Sequence, residues 1–327
     1  MRAVVADAFG PPNSLTLRET VARAPGPGEV RIAVAAAGVT FVDALITRGG
    51  HQGAVSFPYV PGTECAGVVE EVGSEVRHLT KGDRVFAITL AGGGFAEQVT
   101  VDANLVALAP EGMPFDVLAV FGGSYLTAYH TLVHRTVTRP GELMLVRGAA
   151  GALGMAAVQL GRALGLDVVA MASTPAKCEY AMAAGAFAAL DSNASDPRAE
   201  LKALVGDRRV DIVFDPVGGD GAVGMFRALG WDGRYLVLGF AAGTIPALPF
   251  NLPLVKCASL IGVDASQFLK RDPELVRDSF RQISAMLGAG KLAPHILTRL
   301  PLQAFADALE RAATGEGIGR IVLEMRK

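Results

Sequence analysis

The sequence has no uninterrupted apolar run of the length that crosses a membrane. A spanning helix needs about 18 or more consecutive apolar residues. The best candidate is interrupted by Arg147, Gln159, Arg162 and Asp167, and the next by Lys256. We therefore expect no membrane-spanning segment.

Cysteine is also scarce. The three cysteines, Cys65, Cys178 and Cys257, are far apart and odd in number, which excludes a disulfide framework and a zinc-binding cysteine cluster. The N-terminus carries Asp7 almost at once and has no apolar run typical of a signal peptide. These observations predict a cytoplasmic protein.

The chain has no excess of either charge, because 30 Lys and Arg residues stand against 32 Asp and Glu residues and give a net charge of −2. This balance argues against nucleic acid as a main partner. The length of 327 residues with 51% hydrophobic residues predicts two domains. The 39 glycines favour an α/β protein with many tight turns.

The two ends of the chain differ from its middle in their predicted secondary structure. Up to about residue 110 the sequence predicts short strands, with a short helix at Thr40, because Thr40 and Asp43 have capping-box spacing. After the middle, Asp272 and Pro273 predict a helix start, and a second helix and a final strand follow. The middle alternates helices with apolar strands predicted at 142–147, 167–172, 210–215, 234–238 and 259–263. Such alternation predicts a parallel sheet.

A glycine-rich turn follows the first of these strands. Ala149 stands where the dinucleotide fingerprint has its first glycine, while Gly151 and Gly154 occupy the next two positions. Gly151 would allow the backbone to approach a pyrophosphate, and Gly154 would allow the helix to pack closely on the strand. Since strand, turn, helix and next strand are all present, dinucleotide binding is favoured over a purely structural turn.

The end of the second strand bears on which dinucleotide is bound. Residues 170–176 contain no carboxylate, whereas NAD-binding folds usually place an acid there to hold the ribose 2′-hydroxyl. Ser173, Thr174 and Lys177 could hold a 2′-phosphate instead, which predicts NADPH. The alternative is that Thr174 caps the next helix and Lys177 is a solvated charge.

With these residues in hand, the chain resembles the medium-chain dehydrogenase/reductase superfamily and, within it, the zinc-free, zeta-crystallin-like quinone oxidoreductase branch. The resemblance implies a GroES-like β-barrel catalytic domain (1–123 and 267–327) and an inserted Rossmann domain with a doubly wound parallel sheet (124–266). It also implies a homodimer. The segments that carry it are 35–50, 60–73, 81–87, 92–101, 126–132, 148–165, 210–219 and 319–323.

The same resemblance indicates what the chain lacks. Zinc alcohol dehydrogenases of this superfamily place a cysteine where Thr40 stands and a histidine where Thr63 stands, and they carry a run of structural cysteines. The resemblance therefore implies no metal site. Acceptors that need little carbonyl activation are then favoured.

The resemblance also implies which residues bind the cofactor. Some members place a tyrosine against the adenosine phosphate where Ser192 stands, and Arg320 belongs to the terminal motif. The implied contacts are Thr127 and Tyr129 near the nicotinamide half, Gly151, Ala152, Leu153 and Gly154 at the pyrophosphate, Ser173, Thr174, Lys177 and Ser192 at the adenosine phosphate, Gly239 and Phe240 beside the ribose and nicotinamide, Gly262, Val263 and Asp264 closing over them, and Arg320.

On the substrate side the resemblance implies Thr40, Asp43 and Gln52. Quinone reductases of the branch have Asn where Thr40 stands and commonly Tyr where Leu45 and Gln52 stand, which leaves the acceptor open. Thr40 could donate to an acceptor carbonyl or only cap its helix. His51 could supply a proton or lie in solvent.

Two further candidates carry less weight. His130 and His134 have the one-turn spacing of a metal pair, but the Thr-Leu-Val between them lacks the general-base glutamate of a metalloprotease. Glu64 could be only a buried, hydrogen-bonded carboxylate. The predicted function is zinc-independent hydride transfer from NADPH to a quinone or similar electron-poor acceptor. An enoyl-thioester or alkenal double-bond reductase is the alternative, and a non-catalytic NADPH-binding protein is a second.

Overall fold

The computed structural model describes residues 1–51, 53, 55–315 and 317–325. The chain divides into two compact units, one formed by Met1–Gly123 with Ser266–Lys327 and the other by Ser124–Ala265. The chain therefore leaves the first unit once and returns to it. Within the described ranges, no helix combines the length and apolar character needed to cross a membrane.

Strands and helices are numbered along the whole chain. The strands are β1 (Arg2–Val5), β2 (Thr16–Glu19), β3 (Glu29–Val39), β4 (Glu64–Val72), β5 (Arg84–Ile88), β6 (Gln98–Asp102), β7 (Val106–Leu108), β8 (Leu143–Arg147), β9 (Asp167–Ala172), β10 (Ala188–Asp191), β11 (Val210–Asp215), β12 (Leu229–Val237), β13 (Ser259–Gly262), β14 (Ile296–Pro301) and β15 (Arg320–Glu324). The α-helices are α1 (Phe41–Thr47), α2 (Phe115–Leu118), α3 (Gly122–Tyr129), α4 (Ala152–Ala163), α5 (Pro175–Ala183), α6 (Pro197–Val205), α7 (Gly221–Ala228), α8 (Asn251–Lys256), α9 (Ala265–Arg271), α10 (Pro273–Gly288) and α11 (Phe305–Thr314). Short 3₁₀ turns lie at Pro12–Ser14, Ala103–Leu105 and Leu302–Ala304, and a π-helical segment at His130–Arg135.

The first unit is built around the long strand β3. Its residues alternate between buried and partly exposed along most of its length, as expected for a strand with one face on the core. β3 pairs antiparallel with β4, β6 and β15. The main sheet runs β14-β15-β3-β4-β5-β7, so strands from the end of the chain extend the sheet formed by its beginning.

Aromatic packing ties the C-terminal segment into the same core. Phe86 of β5 contacts Phe121 and Phe280 of α10 edge to face, with ring centroids 5.7 and 5.5 Å apart, a favourable aromatic geometry. α10 begins as the sequence predicts, because the Asp272 side chain accepts from the amide of Leu275 and Pro273 is the first helical residue. Apolar packing thus stabilises the C-terminal segment within the first unit.

The second unit contains a six-stranded parallel sheet in the order β10-β9-β8-β11-β12-β13. This is the doubly wound order of dinucleotide-binding folds, in which the two halves meet between the first and fourth strands, here β8 and β11. All five residues of β8 are buried, which fits a strand covered by helices on both faces. The predicted α/β class is confirmed.

The sequence predicts five of the six strands of this unit. β12 begins at Leu229, five residues before the predicted start. β10 was not predicted, because AALD is only four residues long and has no β-branched residue. β10 forms because it pairs with β9 in the sheet, a tertiary contact that its sequence does not indicate.

Candidate functional site

The glycine turn joins β8 to α4. A Cβ atom on Gly154 would lie 2.2 Å from the carbonyl oxygen of Gly148, so only glycine allows this approach. Gly151 is the N-cap of α4, and no side chain caps the helix. The first amide N–H groups of a helix have no partner within it and attract anions. The turn therefore fits the pyrophosphate of a dinucleotide.

The predicted cofactor contacts follow successive strands of the parallel sheet. Because the carboxyl ends of parallel strands lie at one edge, the structure brings these residues to the same edge of the second unit. Whether they touch the cofactor stays a prediction. They are Gly151, Ala152, Leu153 and Gly154 after β8, Ser173, Thr174 and Lys177 after β9, Ser192 after β10, Gly239 and Phe240 after β12, and Gly262, Val263 and Asp264 at and after β13.

The loop after β9 shows how its hydroxyl groups are used. The Thr174 side chain accepts from the amide of Lys177 at 3.3 Å as the N-cap of α5, so the capping alternative is confirmed for Thr174. Ser173 is exposed, and its carbonyl accepts from Nδ2 of Asn193 at 2.9 Å. The exposed Ser173 hydroxyl is therefore accessible to a ligand.

Asp191 and Asn193 also lie at this edge, and the sequence did not indicate them because β10 was not predicted. Asp191 ends β10 beside Ala172 of β9, and its carboxylate accepts from the amide of Asn193 at 2.8 Å. The amide of Ser192 donates to the carbonyl of Ala172 at 2.8 Å. A carboxylate-bearing residue thus stands beside the end of β9, on the neighbouring strand.

Thr127 and Tyr129 lie in the last turns of α3. The Thr127 carbonyl accepts from Oγ1 of Thr131 at 2.6 Å. Tyr129 is buried and packs its ring edge to face on His134, with centroids 5.5 Å apart. The helix then widens into the π-helical segment, a feature often found at functional sites.

The histidine pair lies in that segment. Burial, together with the charges of His134 and Arg135, lowers the pKa of His130 to about 4, so His130 is neutral at neutral pH. The His130 and His134 rings are 5.7 Å apart. Within the part of the chain that the structure describes, no group of three or more His, Cys, Asp or Glu side chains is arranged to hold a metal ion.

A buried ion pair lies directly beneath the glycine turn. Arg147, the last residue of β8, donates from Nη1 to the carboxylate of Asp215 at 2.6 Å, and Tyr235 donates its hydroxyl to the same carboxylate oxygen. The other oxygen accepts from the amides of Val217 and Gly218 at 2.8 and 3.0 Å. Burial, followed by the charge of Asp215, raises the pKa of Tyr235. The Asp215 carboxylate therefore accepts hydrogen bonds from four donors.

This network shapes a loop that carries a predicted cofactor contact. The amide of Gly219 donates to the carbonyl of Thr244 at 3.0 Å, and the amide of Ala242 donates to that of Val217 at 2.9 Å. A Cβ atom on Gly218 would lie 2.8 Å from the ring of Phe240. Asp215 thus fixes the loop against which Phe240 rests.

In the first unit, Thr40 and Asp43 form a complete capping box at the start of α1, as their spacing predicts. The Thr40 hydroxyl donates to Oδ2 of Asp43 at 2.6 Å and accepts from the Asp43 amide at 3.0 Å. It also lies 3.3 Å from the hydroxyl of Thr63. The capping alternative for Thr40 is confirmed, and donation to a substrate would compete with its bond to Asp43.

Asp43 is the most deeply buried member of this cluster. Its side chain has no solvent exposure, and Oδ1 has no hydrogen-bond partner among the described residues. Burial raises the pKa of Asp43 to about 6, against the opposing effect of the hydrogen bonds from Thr40. The cluster therefore contains a carboxyl group that changes protonation near neutral pH.

The raised pKa predicts how stability depends on pH. Because the folded protein holds the Asp43 proton more tightly than the unfolded chain does, the contribution of Asp43 is most favourable below about pH 4 and is lost as the pH rises through 6. Asp43→Asn removes this loss. Two pKa units correspond to about 3 kcal/mol, so the free energy of unfolding of the variant relative to wild type should rise by about that amount between pH 4 and 7.

Urea unfolding of both proteins at pH 4, 5, 6 and 7 measures this difference. The control is Asp83→Asn, because Asp83 accepts the same two kinds of bond from Thr80 at 2.7 and 3.0 Å but at the surface. A difference between wild type and Asp43→Asn that stays constant with pH would contradict the prediction.

Tyr59 was missed by the sequence analysis and lies near this cluster. Its side chain is buried, and its hydroxyl would lie 2.8 Å from a Cβ atom on Gly92. Burial, followed by the charge of Asp43, raises the pKa of Tyr59, so the phenol keeps its proton. Tyr59 is an aromatic hydroxyl in a unit whose sequence lacks the tyrosines at Leu45 and Gln52.

The remaining substrate-side candidates are less informative. Gln52 lies outside the described residues. The ring of His51 accepts from the amide of Gly53 at 3.0 Å, an interaction that does not indicate catalysis.

Arg320 lies in β15 of the first unit. Its guanidinium donates to Glu64 and, at 3.2 Å, to the carbonyl of Val120. Glu64 also accepts from the amide of Gly123 at 3.0 Å. Both charges are buried, and a buried charge requires its partner. Arg320 thus forms a structural ion pair with Glu64, and its contact with the cofactor stays a prediction.

The residues at the implied zinc position do not suit zinc. Zinc is bound by cysteine thiolates, imidazole nitrogens and carboxylates, whereas Thr40 and Thr63 offer neutral hydroxyls. The carboxylate of Asp43 beside them already accepts from Thr40.

Two family profiles match the chain. The family described as "Alcohol dehydrogenase GroES-like domain" matches residues 26–111, and the family described as "Zinc-binding dehydrogenase" matches residues 152–283. The first match lies within the antiparallel unit, which confirms its predicted GroES-like fold. The second covers most of the parallel-sheet unit.

Individual proteins are similar over their whole length. The human protein named quinone oxidoreductase is 33% identical over 99% of this chain and 97% of its own. A crystal structure of Escherichia coli quinone oxidoreductase complexed with NADPH superposes with a TM-score of 0.90 at 26% identity, covering 99% and 100% of the two chains. The CurK enoyl reductase structure gives a TM-score of 0.88 at 25% identity and 99% coverage of both chains. The chain therefore belongs to the medium-chain dehydrogenase/reductase superfamily, in its quinone oxidoreductase-like branch.

Proposed function

We propose that this protein is an NADPH-dependent oxidoreductase that reduces a quinone or similar electron-poor acceptor without zinc. The observation that carries the proposal is the pair of threonine hydroxyls 3.3 Å apart at the position where zinc-dependent members of the superfamily have ligands. The parallel-sheet unit is the proposed cofactor domain, and the antiparallel unit is the proposed catalytic domain.

The cofactor-binding part of the proposal rests on the carboxyl edge of the parallel sheet. The uncapped start of α4 offers amide N–H groups to the pyrophosphate, and Ser173 with Lys177 receives the 2′-phosphate. NADPH supplies a hydride when it is bound. The side chains orient the reactants and exclude water, which can contribute much of a rate enhancement.

The protonation chemistry of the first unit favours a quinone. A quinone can take both protons late and from solvent, whereas an enone or enoyl thioester benefits from a positioned donor. The Thr40 proton is held by Asp43 at 2.6 Å. Tyr59 retains its proton, but its aromatic hydroxyl lies in the buried region beside Asp43.

A double-bond reductase is the second candidate function. The similarity to the CurK enoyl reductase structure favours it. In that case the β-carbon of the substrate would take the hydride, and Tyr59 or protonated Asp43 would supply the proton to the α-carbon. A protein that binds NADPH without turnover is the remaining alternative.

Assays of NADPH oxidation with 1,4-benzoquinone, crotonyl-CoA and a 2-alkenal separate these functions. We expect the quinone to be the fastest acceptor, with the same rate in the presence of a chelator and no stoichiometric zinc by elemental analysis. Faster reduction of crotonyl-CoA or the alkenal would transfer the assignment to the second candidate. Loss of activity on chelation, with one zinc per chain, would contradict zinc independence.

We further propose a homodimer formed through the β13 edge of the parallel sheet, an association that members of this branch use. An unpaired strand edge favours pairing with a second chain. Leu260 of β13 is 52% exposed, and Leu254 and Val255 of the adjacent α8 are 77% and 64% exposed, so an apolar surface flanks the edge.

Leu260→Asp is expected to convert the dimer to a monomer, because it places a charge opposite its own copy across a two-fold axis. Light scattering at micromolar concentration measures the mass of wild type and variant. Val21→Asp, at a residue 91% exposed in the first unit, is the control and should stay dimeric. A monomeric wild type would rule the proposal out.

A further inference from the structure

A cavity of about 220 Å³ lies on the second unit, between α6, the start of β11 and the end of α7. Its lining carries five cationic side chains and one carboxylate. They are Arg198, Lys202, Arg208, Arg209, Arg227 and Asp196. Such an excess of one sign around a concave surface attracts ions of the opposite sign.

Two of these six charged groups make a hydrogen bond or ion pair with residues that the structure describes. Arg208 pairs with Asp167 at 2.8 Å, and the carboxylate of Asp196 accepts from the amide of Ala199 at 3.0 Å as the N-cap of α6. The other four cations, which are exposed, make no hydrogen bond or ion pair with any described residue. Their positive charge is therefore available to a ligand.

Helix dipoles explain only part of this arrangement. Lys202 and Arg227 lie in the last turns of α6 and α7, where a cation is favourable. Arg198 lies in the first turn of α6, where a cation is unfavourable. Arg198 also stands one turn from Lys202, a like-charged pair that destabilises an isolated helix. Neither feature benefits the fold.

The field of the cluster reaches a further lysine. Lys256 donates its amino group to the carbonyl of Leu229. Burial, followed by the charges of Arg209 and Arg198, lowers the pKa of Lys256. The cluster thus acts on a neighbouring cation in the way that an uncompensated positive charge does.

The cavity lies at the opposite edge of the sheet from the proposed cofactor site. β11 begins at Val210 and α7 ends at Ala228, and both residues line the cavity, which places it where the parallel strands begin. The glycine turn and the loop after β9 lie at the carboxyl edge. A ligand in the cavity would therefore not displace a bound dinucleotide.

We propose that this cavity is a binding site for a small polyanion with at least two phosphate groups. Guanidinium groups match phosphate oxygens in pairs, and the volume accommodates a diphosphate. The diphosphate could be inorganic or part of a nucleotide, since both present the same oxygens. This inference goes beyond the proposed function and does not depend on it.

Calorimetric titration with inorganic pyrophosphate, in metal-free buffer of low ionic strength, tests the site. We expect one saturable site per chain. The double variant Arg198→Gln, Arg227→Gln should bind about tenfold more weakly, because two exposed charge contacts contribute roughly a factor of ten together. The control Lys81→Gln, Lys291→Gln removes the same charge from exposed positions of the first unit and should change affinity less than twofold.

Hydrogen exchange locates the bound anion. Pyrophosphate should protect peptides from 196–210 and 221–230, and not the peptide 148–155 of the glycine turn. Repeating the titration with ADP distinguishes the sources, since weaker binding of ADP assigns the site to inorganic diphosphate and tighter binding to a nucleotide. The proposal is overturned if binding is not saturable, if the control variant weakens it equally, if protection falls only on 148–155, or if only an RNA oligonucleotide protects the cavity.

Discussion

Ser173→Asp is expected to reverse the cofactor preference from NADPH to NADH. The side chain is exposed at the end of β9, where a carboxylate would repel a 2′-phosphate and accept from the ribose hydroxyls of NADH. Steady-state kinetics with each cofactor at fixed acceptor concentration measures the change.

Lys177→Ala is the companion variant. A charge-assisted bond contributes roughly 1.5 to 3 kcal/mol when well made, and one open to solvent lies at or below the lower value. The Michaelis constant for NADPH should therefore rise about tenfold, while that for NADH should hardly change. Lys291→Ala removes an exposed lysine of the other unit and serves as the control. Equal effects of Lys177→Ala on both cofactors, or a wild type that already prefers NADH, would show that this loop binds no phosphate.

Asp215→Asn is expected to destabilise the second unit by about 3–5 kcal/mol, because it leaves the charge of Arg147 buried without its counterion. Both side chains are less than one-tenth exposed. Arg147→Met should cost less, since the carboxylate would keep Tyr235 and two backbone amides as donors. The double variant should be more stable than Asp215→Asn alone, because it removes both charges.

Urea unfolding and the Michaelis constant for NADPH are the two readouts. The second detects displacement of the loop that supports Phe240, which a purely structural loss elsewhere would not produce. Asp167→Asn breaks the exposed ion pair with Arg208 and should cost no more than about 1 kcal/mol. If Asp215→Asn costs as little as this control, the buried pair does not stabilise the unit.

Several elements of the fold could be predicted because their signals are local. The capping box of Thr40 and Asp43 and the start of α10 at Asp272 depend on residues within one helical turn. The glycine turn is equally local, since a short strand, Gly151 and Gly154 suffice to indicate it. Alternating helices and apolar strands predicted the parallel sheet, except where β10 was too short and too poor in strand-forming residues.

The sequence by itself thus determined the fold class, the dinucleotide turn and the helix start at Thr40, whose patterns span a few residues. Only the tertiary structure decided which buried charges meet. Arg147 and Asp215 are 68 residues apart, and Glu64 and Arg320 are 256 residues apart, so no spacing rule connects them. Their partners are selected by desolvation, which makes an unpaired buried charge so costly that the folded chain must bring the opposite charge to it.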